Sequence, residues 1–414
     1  MDDTIQEVRE LVVSPNVTVQ PSSRKLSFKL DPIAQWLLLS ETRFKCSMRI
    51  VGEGDEEIAA ASAANPGASF DNAPPITMVR SLEIRDYSGT IISPPDENYG
   101  ISAYLIMLRN YDSETLNKKY ESSLFFFEAS PSSTNAVAPS GFKKRQLRTS
   151  GSEWVEVSCP LFSPLFMSHY ALPAMCGLSF SFNLASNHYI IKSGMPAANA
   201  AHLKYEIRDP VLQFKKLHVT SEFAMNFEKI LVGRPARFEL SNFMTKSYVI
   251  GTGRMTFQQP DVFGSSFVPL FATVFLTTQA ESVGQVSNSI FSFRPHGIRR
   301  IRLLMGDEQC PASDEILDFS NNIYLSAFER FVGDNWSSST SPIDMDLFKD
   351  QYCFFHFSMN QIHCMNTRKT KKLGACTLSI DFHAATTETL VAYVFFCENQ
   401  TLLMGADRKF VKNY

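Results

Sequence analysis

Two stretches of this chain, Val79–Leu108 and Ile298–Phe331, share one layout, the second starting 219 residues after the first. The first reads VRSLEIRDYSGTIISPPDENYGISAYLIML and the second IRRIRLLMGDEQCPASDEILDFSNNIYLSAFERF. Each opens on an alternating strand, turns at a glycine, passes a proline and enters a segment built around Ser-Ala-aromatic: Ser102-Ala103-Tyr104 and Ser326-Ala327-Phe328. Ile101, Tyr104, Leu105 and Leu108 fall at i, i+3, i+4 and i+7, which is one face of a helix, and Tyr324, Ala327, Phe328 and Phe331 do the same. A chain that repeats a supersecondary unit at half its own length reads as two related domains in tandem. Neither copy carries catalytic residues, so the function is to be sought in the architecture rather than in a pocket.

The rest of the chain favours sheets. Phenylalanine is the unusual component, with 34 residues against 13 Tyr and 3 Trp, and aromatic and β-branched side chains suit half-buried pleated surfaces. Strand-like runs in the first half are KLSFKL, RFKCSMRIV, WVEVSCPLF, GLSFSFNL and YEIRDPVLQFKKLHVT. The second half offers RFEL, YVIGTGRMTF, FVPLFATVFLTT, SIFSFRPHGIRRIRLL, CFFHFSMNQIHCM, CTLSIDF and TLVAYVFFCENQTLLM. With the repeated unit this gives about eight strands per half, the number a jelly roll needs. The expected fold is all-β: two tandem eight-stranded jelly-roll β-sandwiches, a double jelly roll, with short helices in the loops. Residues 1–24 read as an N-terminal arm, extended or partly helical. The first jelly roll is expected over 25–220, the second over 221–405, and a C-terminal tail over 406–414. Segments 52–75 and 128–141 read as long surface loops.

Residue spacing argues against the usual chemistries. The histidines, at 169, 188, 202, 218, 296, 356, 363 and 383, contain no HxH or HExxH, so the paired imidazoles of an enzymatic cupin barrel are missing. His356, His363 and Cys364 form the tightest cluster and read as a core-edge histidine beside a buried cysteine. The eight cysteines contain no CxxC, most stand in apolar strand-like contexts, and they read as reduced, buried thiols. Gly251-Thr252-Gly253 lacks the helix and lysine of a phosphate cradle and reads as a bend or bulge. Asp344 and Asp346 lack EF-hand spacing and read as loop carboxylates. We therefore expect no catalytic residue, metal or cofactor. No run of about 18 apolar residues suggests a membrane span, and the acidic start MDDTIQEVRE does not read as a secretory signal.

The net charge of −3 disfavours a surface that binds nucleic acid all over, but two basic clusters stand out. Lys143, Lys144, Arg145 and Arg148 make one, and Arg368, Lys369, Lys371 and Lys372 the other. Both are candidates for contact with a polyanion or an inner surface. Arg300 and Arg302 alternate with apolar residues, which puts them together on one face of a strand.

In the order of its elements the chain resembles the double jelly-roll major capsid proteins of the adenovirus–tectivirus lineage, and most nearly those of Polinton (Maverick) elements, adintoviruses and virophages. The resemblance runs loosely over most of the chain. It is carried by DPIAQWLLLSETRFKCSMRIVGEGD and SLEIRDYSGTIISPPDENYGISAYLIML in the first half. In the second it is carried by ARFEL, GTGRMTFQQPDVFGSSFVP, NSIFSFRPHGIRRIRLLMGDEQCP, DFSNNIYLSAF and CTLSIDF. It departs where the family's Asn-Pro-Phe-x-Phe is Asn288-Ser289-Ile290-Phe291-Ser292-Phe293, and where its Asp-Gly turn is Gly306-Asp307-Glu308. The resemblance implies a homotrimer, a pseudo-hexameric capsomer that tiles an icosahedral shell around double-stranded DNA. It implies as partners neighbouring capsomers, penton and minor capsid proteins, with weak contact to packaged DNA or an internal membrane and no small-molecule substrate. The place implied is the virion, after synthesis in the host cytoplasm, with both termini as tethers under or between capsomers. The alternatives are a β-sandwich attachment or carbohydrate-binding protein, and a minor or domesticated capsid-like protein.

Overall fold

The computed structural model describes residues 5–15, 24–58, 67–93, 95–128, 141–195, 200–264, 268–305, 308–333, 341–359 and 374–413. Eight principal strands lie in the first half: β1 Ile5–Val13, β2 Lys25–Leu30, β3 Trp36–Val51, β4 Val79–Asp86, β5 Ile91–Ser93, β6 Val155–Pro160, β7 Leu178–Leu184 and β8 Lys204–Val219. Eight more make up the second: β9 Ala236–Ile250, β10 Thr256–Gln259, β11 Phe271–Thr278, β12 Ile298–Met305, β13 Glu308–Cys310, β14 Phe355–Ser358, β15 Thr377–Phe382 and β16 Leu390–Met404. The sheets of the first half run β1-β8-β3-β6 and β2-β7-β4-β5, and those of the second β9-β16-β11-β14 and β10-β15-β12-β13. Counted from the start of each half, both orders are first-eighth-third-sixth and second-seventh-fourth-fifth. That is the winding of a jelly roll, present twice with one topology.

Alternation builds each sandwich. β2 buries Leu26, Phe28 and Leu30 and turns its lysines outward, and Phe28 meets Phe182 of β7 and Phe44 of β3 at 5.4 and 6.2 Å between ring centroids. β11 differs, because all eight of its residues are buried. Successive side chains point to opposite faces, so both faces of this strand are covered; Phe275 packs on Tyr393 of β16 and on Phe293 of the loop before β12.

Helices follow the fifth strand of each roll. In the first roll they are α1 Tyr99–Asn110, α2 Ser113–Lys119 and α3 Gly141–Arg148; α4 Ser221–Gly233 joins the rolls; in the second roll they are α5 Leu325–Gly333 and α6 Met345–Asp350. The repeated sequence unit is therefore the fourth strand, the fifth strand and the helix after them, at one place in each roll.

Several expectations need correction. The stretch read as an arm holds β1, which pairs with β8 from Ile5↔Val219 to Val13↔Leu212, so the first roll starts some twenty residues early. Residues 67–75, read as surface loop, are buried, and Ala68–Phe70 pairs with Ile191–Ser193. YVIGTGRMTF is two strands in different sheets, joined by a turn with Gly253 at φ +75°. Of SIFSFRPHGIRRIRLL only Ile298 onward is strand. The tail is not a loose tether: Phe410–Asn413 adds to β16, and the Phe410 N–H donates to Asp86 of the first roll at 3.2 Å. Asp344 caps α6, accepting from the Leu347 N–H at 2.8 Å.

Candidate assembly site at the seam between the rolls

The two rolls are joined by a buried polar and aromatic seam. Its centre is Asp71, in the segment that leads from the short strand Ala68–Phe70 into the turn of helix Pro74–Thr77. Asp71 is 1% exposed. Its carboxylate accepts from the Ser289 hydroxyl at 2.8 and 3.0 Å and from the Ile290 N–H at 3.3 Å, both in the second roll. The Lys192 ammonium of the first roll lies 3.6 Å away and donates across the seam to the Gln285 carbonyl at 3.1 Å. Burial pulls the Lys192 pKa down and the Asp71 charge pulls it back up. The Ser193 N–H donates to the Val286 carbonyl at 2.9 Å.

Gly284 makes the close approach possible. It sits at φ +104°, and a Cβ there would stand 2.6 Å from the Tyr189 Cα. Gly284→Ala should cost about 1–3 kcal/mol from the backbone conformation alone, before the clash with Tyr189 is counted. Urea unfolding of the variant checks this, and a midpoint equal to that of the parent chain would refute it.

Helix α1 supplies the second contact. Ten consecutive residues, Tyr99–Leu108, are buried. Asn98 occupies the N-cap position without capping its own helix; its amide donates to the Thr245 carbonyl of β9 at 2.9 Å instead. Ser102 lies 2.7 Å from the Thr245 hydroxyl. The Tyr104 ring stacks on Phe291 with centroids 3.8 Å apart, and its hydroxyl stands 3.3 Å from that of Tyr352. At the far end Arg109 lies over Phe271, 4.0 Å from the ring centroid. Thus the helix of the first roll covers the first strand of the second.

The basic residues singled out from the sequence divide. Lys143, Lys144, Arg145 and Arg148 all lie on α3, whereas Arg368, Lys369, Lys371 and Lys372 lie outside the described residues. Arg145 cannot meet a polyanion. It is 1% exposed, pairs with Glu128 at 3.0 Å, and donates to the Phe70 carbonyl at 2.9 Å. Arg148 is exposed and pairs with Glu121 at 2.5 Å. Lys144 and Arg148 flank the Phe126 ring, and Lys143 donates to Gln146 at 3.0 Å. Arg300 and Arg302 share one sheet face and both lie within 4 Å of Asp314 and Asp381.

His356 is buried in β14, 2.9 Å from the Thr273 hydroxyl; its sequence neighbours His363 and Cys364 lie outside the described residues. Burial, with Arg109 and Arg330 nearby, pulls the His356 pKa down to about 3, and burial beside Arg294 pulls His296 to about 4. Both imidazoles bind a proton more readily unfolded, so their contribution is full above about pH 6.5 and is lost as pH falls toward their folded values. Asp96, raised to about 6 mainly by burial, works the other way below pH 6. Two histidines against one aspartate leave a net loss of about 3 kcal/mol between pH 7 and 4.5. Denaturant titrations at the two pH values measure it, and His356→Phe should reduce the difference.

Comparison with known proteins puts this geometry in context. No family model matches the chain, and no curated protein matches it by sequence. Among solved structures it is similar to a chain of the Sputnik virophage, at 13% identity and a TM-score of 0.68, covering 100% of this chain and 89% of that one. The major capsid protein of mavirus matches at 10% identity and a TM-score of 0.56, covering 98% and 90%. The Faustovirus major capsid protein matches at 8% identity and a TM-score of 0.59, covering 96% and 90%. At these identities the likeness carries the fold, a double jelly roll over the whole chain.

Proposed function

We propose that this chain is a major capsid protein, three copies of which close into a pseudo-hexameric capsomer that tiles an icosahedral shell. The observation that carries the reading is the repetition of one jelly-roll topology in a single chain with a buried, hydrogen-bonded seam between the copies. A fixed pair of like sandwiches is what a threefold ring needs to imitate sixfold symmetry, and closed cyclic contacts hide surfaces that a lone chain exposes. The likeness to the mavirus and Faustovirus major capsid proteins supports the same reading. On it the chain acts by assembly, not catalysis, and works in the virion. Its partners are its own copies, neighbouring capsomers, and penton and minor capsid proteins. Lys143, Lys144 and Arg148, with Arg368, Lys369, Lys371 and Lys372, are the basic residues proposed to face packaged DNA or another inner polyanion.

Expression of the full chain followed by sedimentation velocity and negative-stain imaging tests the proposal. Trimers with a six-lobed outline, or closed particles, are expected. A chain that stays monomeric at every concentration would overturn it.

A further inference from the structure

In the first roll α1 is covered on all sides, because β9 of the second roll lies over it. Its counterpart α5 begins with the same pattern: Asn98-x-x-x-Ser102-Ala103-Tyr104 corresponds to Asn322-x-x-x-Ser326-Ala327-Phe328. Yet α5 buries only Ala327 and Phe331. Leu325 is 52% exposed, Val332 43%, and Ile323 just before the helix 57%. The duplicated element thus keeps an apolar face that its twin has covered.

The other half of the contact is left over in the same way. β9, the first strand of the second roll, buries Asn242 and Thr245. β1, the first strand of the first roll, is the edge strand of its sheet, and Val12 there is 57% exposed. One chain therefore contains one complete helix-to-first-strand contact and the two separated halves of a second.

We infer that α5 of each copy docks on β1 of the next, repeating between chains the contact that α1 makes with β9 within one. The partner is a second copy of this chain, and the contact is heterologous, helix face to strand edge. Such contacts close into a ring when the rotation allows and extend into a filament when it does not. Two rolls per chain and sixfold pseudo-symmetry close the ring at three chains, and this step rests on the capsomer reading above. Docking also covers the open edge of β1, a surface that otherwise invites unwanted strand pairing.

The test uses the full chain. A photo-crosslinking amino acid at position 325 should, in the intermolecular product, attach to the segment 9–15 of a second copy. Leu325→Glu with Val332→Glu, and separately Val12→Glu, should each raise the concentration for half-assembly at least ~10-fold. All three sites are exposed in the single chain, so melting curves of the variants at monomeric dilution should match the parent. Trimers whose crosslinks join α5 to α5, or to another surface, would overturn this docking and leave the capsomer reading intact. So would Val12→Glu trimers as stable as the parent. A parent chain that never associates would overturn both.

Discussion

Asp71→Ala should lose about 3–5 kcal/mol of stability, the usual cost of removing one partner from a buried ion pair. The variant leaves the Lys192 ammonium in the seam without its nearest counter-charge and strips the acceptor from the Ser289 hydroxyl and the Ile290 N–H. Each stranded donor adds its own desolvation penalty. The loss should depend on pH in a definite direction. Burial already lowers the Lys192 pKa, and Asp71 is the first of the influences that raise it. Without Asp71 the folded chain holds that proton more weakly than the unfolded chain does, so the deficit should shrink as pH rises from 7 toward 10. Urea unfolding at both pH values, with Asp71→Leu/Lys192→Met as the paired control, measures this. A deficit below about 1 kcal/mol, or one that grows with pH, would mean that the pair is not what holds the rolls together.

The seam matters for function because ring closure needs a fixed angle between the rolls. Its two halves were unequally legible in the sequence. The repeat showed through Ser-Ala-aromatic and a glycine turn because those choices answer to local geometry, and both copies fold locally in the same way. The long strand Lys204–Val219 is legible from its partial alternation, and Leu390–Met404 from a continuous apolar run too short for a membrane span. β1 was not: Ile5, Val8, Leu11 and Val12 fit a helix face as well as a strand, and only pairing with β8 about two hundred residues later decides between them. Helix α4 carries a local signal, with Thr220 capping it and Phe223, Phe227 and Leu231 spaced four apart. Arg145 looked like one of four surface cations because its partner Glu128 lies seventeen residues back, across a polar segment. The likeness between basic residues in sequence hides the burial that separates Arg145 from Lys144.

Tyr104→Ala is the complementary experiment, since it empties the seam's aromatic core and leaves its ion pair in place. Tyr104 and Phe291 are both fully buried and stacked, and the Tyr104 ring also packs near Phe125 of its own roll, at 5.8 Å. Removing such a ring from a packed site costs about 3–5 kcal/mol, because the walls relax only partly. Tyr104→Phe keeps the stack and removes only the 3.3 Å contact with the Tyr352 hydroxyl. Tyr352 retains its hydrogen bond to the Glu128 carbonyl at 2.7 Å, so this variant should lose about 1 kcal/mol or less. The ratio between the two losses separates packing from hydrogen bonding at the seam. Because Tyr104 belongs to the first roll and Phe291 to the second, the alanine variant should also loosen the rolls before either unfolds. Limited proteolysis should then cut α4, the connection between them, faster than in the parent chain. Equal cleavage rates, with the full loss of stability, would place the effect of Tyr104 inside the first roll and not at the seam.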